Sequence, residues 1–598
     1  VTDELPAVLK PGKREKIITE VAKLTAYGKG TSHLMRMSEF FSMYLFAWSN
    51  VLWPTKTSAG GATVLDLPTF NDVYPNEPAA TTKVVGKADQ IVVSKTPLGE
   101  SYDNEAVALI SFYSTLGKVR RALANIPSYM MCDDHEITDD WFLNLEWVER
   151  AYSSSLGTKI IQNGMVAFAV FQSWGNTPAR FNADTPGGDL LTKLQQVHSA
   201  RGDAMSVKWN EIGNIILPKI SYDGRGPNNT PMKSLETNFG IDYHFSIVFN
   251  KFILIALDSR THRQFTDIDS PAKPPALLSY SALTNQVNTP LNSLPASVEV
   301  ALVLCPAPMF GHSIVEGIVQ ELVAGIDDAP FHLFSTKATD GHPISGNENQ
   351  DKEAWAFNED GMQGALREFS KYKRVVFFSG DVHYGFSVNV DYHRPAISNP
   401  SNTNLPVRAH FTQLVCSSLK NQDSKTRLSG TLASQAMTLL DRATLMYAGW
   451  SLPVPNPHVM QHDKQELHGI PVYRHEAPVV IRMTDERYYK DAQGDYPQWE
   501  YSLQFALDKR NKSVRFPNAP VFTWTTNTLD KVKQISVEHM KYGNNRVGVG
   551  EDQIGDVTFS WDSSSKSVKQ SFWYKSHGNP SQVDPFNHTV HTVVLPSF

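Results

Sequence analysis

The chain has 598 residues, more than a single hydrophobic core usually serves, and its 41% hydrophobic and 19% charged composition excludes wholesale disorder. A net charge of −6 without a long basic block argues against a nucleic-acid polyanion as the main partner. Three widely spaced cysteines, Cys132, Cys305 and Cys416, make neither a disulfide framework nor a paired-cysteine metal knuckle, so the compartment stays open, exported or cytoplasmic.

The chain begins at Val1 with no signal-peptide pattern, and its first residues read as the middle of a helical region, which predicts a processed or fragmentary chain. SEFFSMYLFAWSNVLW, residues 38 to 53, is the most apolar stretch. Glu39, Ser42, Ser49 and Asn50, with Pro54 behind them, leave it too short and polar for a span of about 20 apolar residues. Its spacing predicts a buried amphipathic helix. Further helical patterns cover Asn104 to Asn125, Lys159 to Trp174, Ser313 to Gly325 and Asp360 to Lys371.

Four apolar runs alternate with these helices. Tyr129 to Cys132 leads into Asp133, and Phe252 to Leu257 leads into Asp258-Ser259-Arg260. Val300 to Cys305 leads toward His312, and Arg374 to Gly380 leads into Asp381-Val382-His383. Runs rich in β-branched and aromatic residues fit strands buried on both faces, and strand–helix alternation predicts a layered α/β core. Ligands of such sheets bind beyond the carboxyl ends of the strands, where all four runs deliver Asp or His. Asp133, Asp134, Glu136, Asp139 and Asp140 crowd around His135 at one such edge. Like charges this close need water or a cation, so the stretch is either a solvated acidic loop or part of a cation site.

After Pro453 to Pro457 the pattern changes, which places a domain boundary near residue 450, with 1–450 before it and 451–598 after it. Val557, Phe559 and Trp561 alternate, as do Val568, Gln570, Phe572 and Tyr574 beyond a Ser-rich turn, which predicts a β-hairpin with one buried face. Gly380 is the residue expected to permit a tight turn carrying Asp381 and His383. His458 and His462 read as part of a solvated loop, and Asp223 to Pro231 as a loop without the features of a phosphate-binding motif. Arg260 reads as half of a structural ion pair in preference to a phosphate contact.

CDDHEITDDW (132–141) and SGDVHYGFS (379–387) resemble two signature segments of the PhoD-like (alkaline phosphatase D) branch of the metallophosphoesterase superfamily. FQSWGNTPARFNADTPGGDLL, PAPMFGHSIVEG, EAWAFNEDGMQGALREF and HFTQLVCSSLKN extend the resemblance from about Leu34 to the last hairpin. It implies a four-layer α/β/β/α sandwich with a β-rich C-terminal portion. The implied activity is metal-dependent hydrolysis of phosphate mono- or diesters, with iron and calcium, or zinc, manganese or magnesium, as the metals. By position, Asp134 matches the metal-binding Asn of the superfamily's GNH[DE] motif, and His135 matches the His that serves the leaving-group oxygen. Asp381 and His383 match the two ligand positions of GHxH. His312 matches either the remaining metal-binding histidine or a helix N-cap region. The family's GSCR and GDQIYADD segments have no counterpart here. That departure leads to the expectation of an upstream polypeptide packing on this chain, and it keeps open a non-catalytic descendant serving as a structural or interaction protein.

Overall fold

A computed structural model of the chain describes residues 9–311, 355–417, 444–449, 471–480, 499–506 and 548–596, apart from gaps at 25–29, 86–89, 224–231, 237–239, 395–406 and 576–585 and a few positions besides. The chain forms two compact units. One comprises Val1–His33, Met131–Thr158 and Ala179–Phe598, the other Leu34–Met130 and Lys159–Pro178.

A nine-stranded mixed sheet organises the first unit. In chain order its strands are β1 (Phe245–Val248), β2 (Phe252–Ala256), β3 (Val300–Cys305), β4 (Arg374–Ser379), β5 (Gly385–Arg394), β6 (Val407–Val415), β7 (Thr444–Gly449), β8 (Trp499–Phe505) and β9 (Gly548–Val549). The spatial order is β7-β8-β5-β6-β4-β3-β2-β1, with β9 paired to the start of β5. Strands β2, β3, β4 and β6 run parallel, so their carboxyl ends open on one edge. The remaining pairings are antiparallel.

Side chains of a strand alternate between its two faces, and here both faces are dry. Ile253 and Ile255 of β2, Ala301 and Val303 of β3, and Val375 and Phe377 of β4 join one core. That core includes Met362, Leu366 and Phe369 from a helix, Glu359–Phe369. Val300 and Leu302 of β3 and Val376 of β4 point the other way, into a core with Val568, Val593 and Leu595. Those three belong to a separate antiparallel sheet of β10 (Gln553–Trp561), β11 (Lys566–Lys575) and β12 (Phe586–Leu595). Burying one such apolar side chain stabilises by about 1.5–3 kcal/mol, which explains why unbroken apolar runs specify these strands. The described residues of this unit that surround the large sheet therefore stack as helix layer, large sheet and small sheet.

The expected hairpin is β10 paired with β11, from Gln553↔Tyr574 to Trp561↔Lys566. Val568, Gln570, Phe572 and Tyr574 are buried, as the alternation implies. Close packing against β5 explains a glycine at its first residue. A Cβ on Gly385 would lie 2.6 Å from the Phe572 ring and 2.5 Å from the Gln553 amide. The boundary expected near residue 450 falls just after β7, and β8 to β12 beyond it belong to the first unit. All described elements beyond residue 450 are strands.

In the second unit, the helix α1 (Met37–Ala47) covers the first part of the apolar stretch at 38–53 and buries Phe40 and Tyr44, whereas Leu45, Val51 and Leu52 are exposed, so the expected burial holds for one stripe of the helix only. Glu39 starts it by accepting from the backbone N–H groups of Met35 and Arg36 at 2.8 and 3.1 Å. Tyr44 stacks on Phe171 at 5.1 Å, and its hydroxyl accepts from the Gln172 amide. The pattern at 104–125 lies in a 29-residue helix, α2 (Pro97–Asn125), capped by Thr96. Among the described residues, no helix is long and apolar enough to cross a membrane.

One expected strand does not form. Residues 127–133 lie outside every described helix and strand, and Tyr129 is exposed. The backbone of Met130 is satisfied instead by a side chain, since the Asn176 amide accepts from its N–H at 2.9 Å and donates to its carbonyl at 2.6 Å. An apolar run whose backbone finds such a partner needs no sheet. The helical pattern at 313–325 lies outside the described residues.

Candidate metal centre

The acidic loop begins with a single helical turn, Asp134–Glu136. Its start is a reciprocal cap, in which the Asp133 N–H donates to Glu136 Oε2 at 2.9 Å. Asp134 is buried, and both of its carboxylate oxygens hold the loop. Oδ1 accepts from the His135 N–H at 2.8 Å, and Oδ2 from the Asp140 N–H at 3.1 Å. Asp140 and Phe142 follow with φ of 59° and 62°, a backbone region costly for Phe, and both are buried.

The turn after β2 meets this loop with two buried arginines. Arg260 Nε donates to Asp133 Oδ1 at 2.9 Å, and its Nη2 lies 3.4 Å from Asp134 Oδ1. Arg263 Nη1 donates to the Phe142 carbonyl at 2.7 Å and its Nε to the Ser259 carbonyl. Asp258 folds the turn itself by accepting from the N–H groups of Arg260 and Thr261. Arg260 thus forms the structural ion pair expected of it.

Asp381 arrives from the end of β4. The Val382 N–H donates to the Gly380 carbonyl at 2.9 Å, closing a γ-turn with Asp381 at its centre, φ 71°. The residue in the left-handed region is therefore Asp381 itself and not Gly380, a correction to the glycine-turn expectation. Aspartate tolerates this region better than most residues, and strain of this kind concentrates at functional sites. The turn brings Asp381 to the acidic loop. One carboxylate oxygen from each of Asp133, Asp134 and Asp381 lies within 4.8 Å of the others. A second, overlapping group joins Asp134, His135 and Asp139 within the same distance.

Burial opposes charge on Asp133, but the Arg260 guanidinium outweighs it and lowers the carboxyl below its ordinary range. Burial also opposes charge on His135, but Asp134, Asp139 and Asp133 outweigh it and raise the imidazole. His135 is half-exposed, with Nε2 3.9 Å from Asp134 Oδ1 and 3.9 Å from Asp139 Oδ1. Cys132, buried beside these acids, is pushed well up by burial and then by Asp258, so it stays a thiol. Three clustered carboxylates offer the hard oxygen donors that calcium, magnesium or manganese take, and the donor set fits a cation.

Of the residues singled out in the sequence, Asp134, His135 and Asp381 come together; His312, His383, His458 and His462 lie outside the described residues. Sequence reading missed the second arginine, Arg263, and a separate group, Asp242, His244 and His262. His244 is lowered to about 4, by burial foremost and then by the neighbouring His262 and Arg180, against the pull of Asp242. The signal for that group is only an Asp-x-His spacing ahead of β1, and His262 stands beyond the next strand. The chain matches no family model, no curated protein and no solved structure.

Proposed function

We propose that the chain is a PhoD-like metallophosphoesterase that hydrolyses phosphate mono- or diesters. The observation that carries this reading is the meeting of Asp133 and Asp134 with Asp381, from segments far apart in sequence, within 4.8 Å. These are the two segments whose motifs resemble that family. A fourth, helical layer outside the small sheet belongs to the same reading. Asp134 and Asp381, with His383 and His312 by resemblance, would hold the metals, iron with calcium foremost. A bound cation supplies neutralisation of phosphate charge and a water of lowered pKa. His135 has the properties of a proton donor to the leaving oxygen, being half-exposed at the cluster and biased toward its protonated form by Asp134 and Asp139. Asp139 Oδ1 lies 3.9 Å from the ring's Nε2 and adds to that bias through its charge.

A second reading has its own observation. The Arg260 guanidinium lies between Asp133 and Asp134 and already compensates part of their charge. A non-catalytic fold acting as a structural or interaction protein would keep this pair and lack the metal. Elemental analysis of the purified chain, together with hydrolysis of a chromogenic phosphodiester before and after chelation, separates the two. Bound metal with chelator-sensitive turnover supports the enzyme. Metal-free, inert protein that stays inert when iron and calcium are added back overturns it.

A further inference from the structure

We propose that Asp242, His244 and His262 form a binding site for a divalent transition metal of the zinc class. The site shares no residue with the carboxylate cluster, and the inference does not rest on the phosphoesterase reading.

The backbone explains how the three meet. Strands β1 and β2 form an antiparallel hairpin in which Phe245 pairs with Ala256. The residues just before β1 therefore run beside those just after β2. In an extended segment alternate side chains share a face. Ile241 and Tyr243 are buried on one side, which leaves Asp242 and His244 together on the other. The turn that Asp258 folds delivers His262, and one ligand atom from each of the three residues lies within 4.8 Å of the others. The two rings stand 6.0 Å apart at 76°, edge to face, so that they converge without stacking.

Donor chemistry selects the metal. Two imidazoles and one carboxylate suit zinc and its first-row neighbours, whereas calcium and magnesium prefer all-oxygen shells. Three protein ligands leave further positions for water. The surroundings hold the donors in place. Arg180 Nη1 donates to the carbonyls of both Asp242 and His244 at 2.6 Å, which fixes that segment while directing the guanidinium at backbone. Asp258 Oδ2 lies 3.8 Å from His262 Nε2, a carboxylate neighbour beside that ring. Among the described residues, the Nδ1 atom of His244 is buried with no hydrogen-bond partner. A neutral imidazole nitrogen left open in this way is available as a donor to a cation.

The test uses the full chain carrying Asp381→Asn, which weakens the carboxylate cluster while an amide keeps the γ-turn. After chelator stripping, zinc is titrated in competition with a chromophoric chelator, and cobalt(II) is added as a spectroscopic probe. The expected result is one tight zinc per chain, weakened roughly 100-fold or more by either His244→Gln or His262→Gln, with loss of the cobalt visible bands. If a glutamine variant loses its native circular dichroism, Asp242→Asn replaces it, with the same weakening expected. No tight zinc in the Asp381→Asn chain, or zinc affinity indifferent to all three changes, overturns the proposal. Failure of the phosphoesterase reading would show as an absence of turnover and leaves this binding result untouched.

Discussion

The two groups of ligand-type residues in the first unit solve the problem of charge in different ways. The carboxylate cluster concentrates negative charge and brings a buried guanidinium, Arg260, to compensate it. The Asp242–His244–His262 group has one carboxylate and a histidine that burial holds neutral at physiological pH. The first is held together by ionic contacts that fail if either partner is removed, whereas the second is held by backbone contacts from Arg180 and loses only its donors when altered. Mutations at the Arg260–Asp133–Asp134 contacts of the first should therefore cost stability, and mutations at the second ligand affinity.

Arg260→Met is the sharpest way to break this contrast. It leaves Asp133 and Asp134 without their cation in a buried setting, and removal of one partner of a buried pair costs about 3–5 kcal/mol. Urea unfolding should show that loss, and Asp133→Asn in the same chain should restore part of it. Because Asp133 titrates below its ordinary range, the pair stabilises above the unfolded carboxyl value of about 3.9 and is lost as pH falls through the lower folded value. An Arg260→Met protein as stable as the parent at pH 7 would show that solvent, and not Arg260, compensates the cluster.

Asp381 comes next. Asp381→Asn keeps a side chain suited to φ 71°, so stability should barely change while metal content and phosphodiester turnover collapse. Asp381→Ala should lose the same activity and in addition destabilise by roughly 1–2 kcal/mol, since Ala is strained in that region. Equal stability of the two variants would show that the γ-turn relaxes on substitution.

His135→Gln is expected to slow turnover by roughly 10²–10⁴-fold while metal content holds, the loss typical of a general acid. In the metal-free chain its imidazole should titrate above the ordinary 6.5 by NMR, and Asp139→Asn should lower it. A raised value means that its stabilising contribution is complete below about 6.5 and disappears as pH rises through the folded pKa. Loss of metal in His135→Gln equal to that in Asp381→Asn would reassign His135 as a ligand.

Strands β2, β3 and β4 were legible because unbroken apolar runs have few other ways to be buried, and the β10–β11 hairpin because Val557, Phe559 and Trp561 keep strict alternation. Tyr129 to Cys132 has the same apolar character but misled, because its backbone partner is the side chain of Asn176, which no local pattern announces. At the candidate site, Asp134 and Asp381 lie in the two motifs that carry the resemblance, and the fold brings them together. The sequence points to Gly380 as the residue that permits the turn, since glycine is the usual bearer of positive φ, whereas Asp381 itself carries it. Asp242 and His262 were invisible for a topological reason. Their meeting requires the register of β1 against β2, and register is a property of paired strands and not of either segment.

The smallest expected effect lies away from both groups, at Glu299 just before β3. Its Oε1 accepts from Lys251 at 2.7 Å, and its Oε2 from Trp561 Nε1 at 3.0 Å and from Lys566. The carboxylate thereby ties the large sheet to β10 and β11, and these hydrogen bonds, Lys251 foremost, lower it to about 2. A depressed carboxyl stabilises above its unfolded value and loses that contribution as pH falls toward the folded one. Glu299→Gln should therefore be modestly less stable than the parent at pH 7, with the gap closing between about pH 4.5 and 2. Glu299 remains partly open to solvent, so the gap should also shrink in molar salt, where exposed charges are screened within about 3 Å. Denaturant midpoints across pH and salt measure both trends. A gap indifferent to pH would mean that the glutamine amide disturbs packing around Trp561 and that the ionic tie contributes nothing.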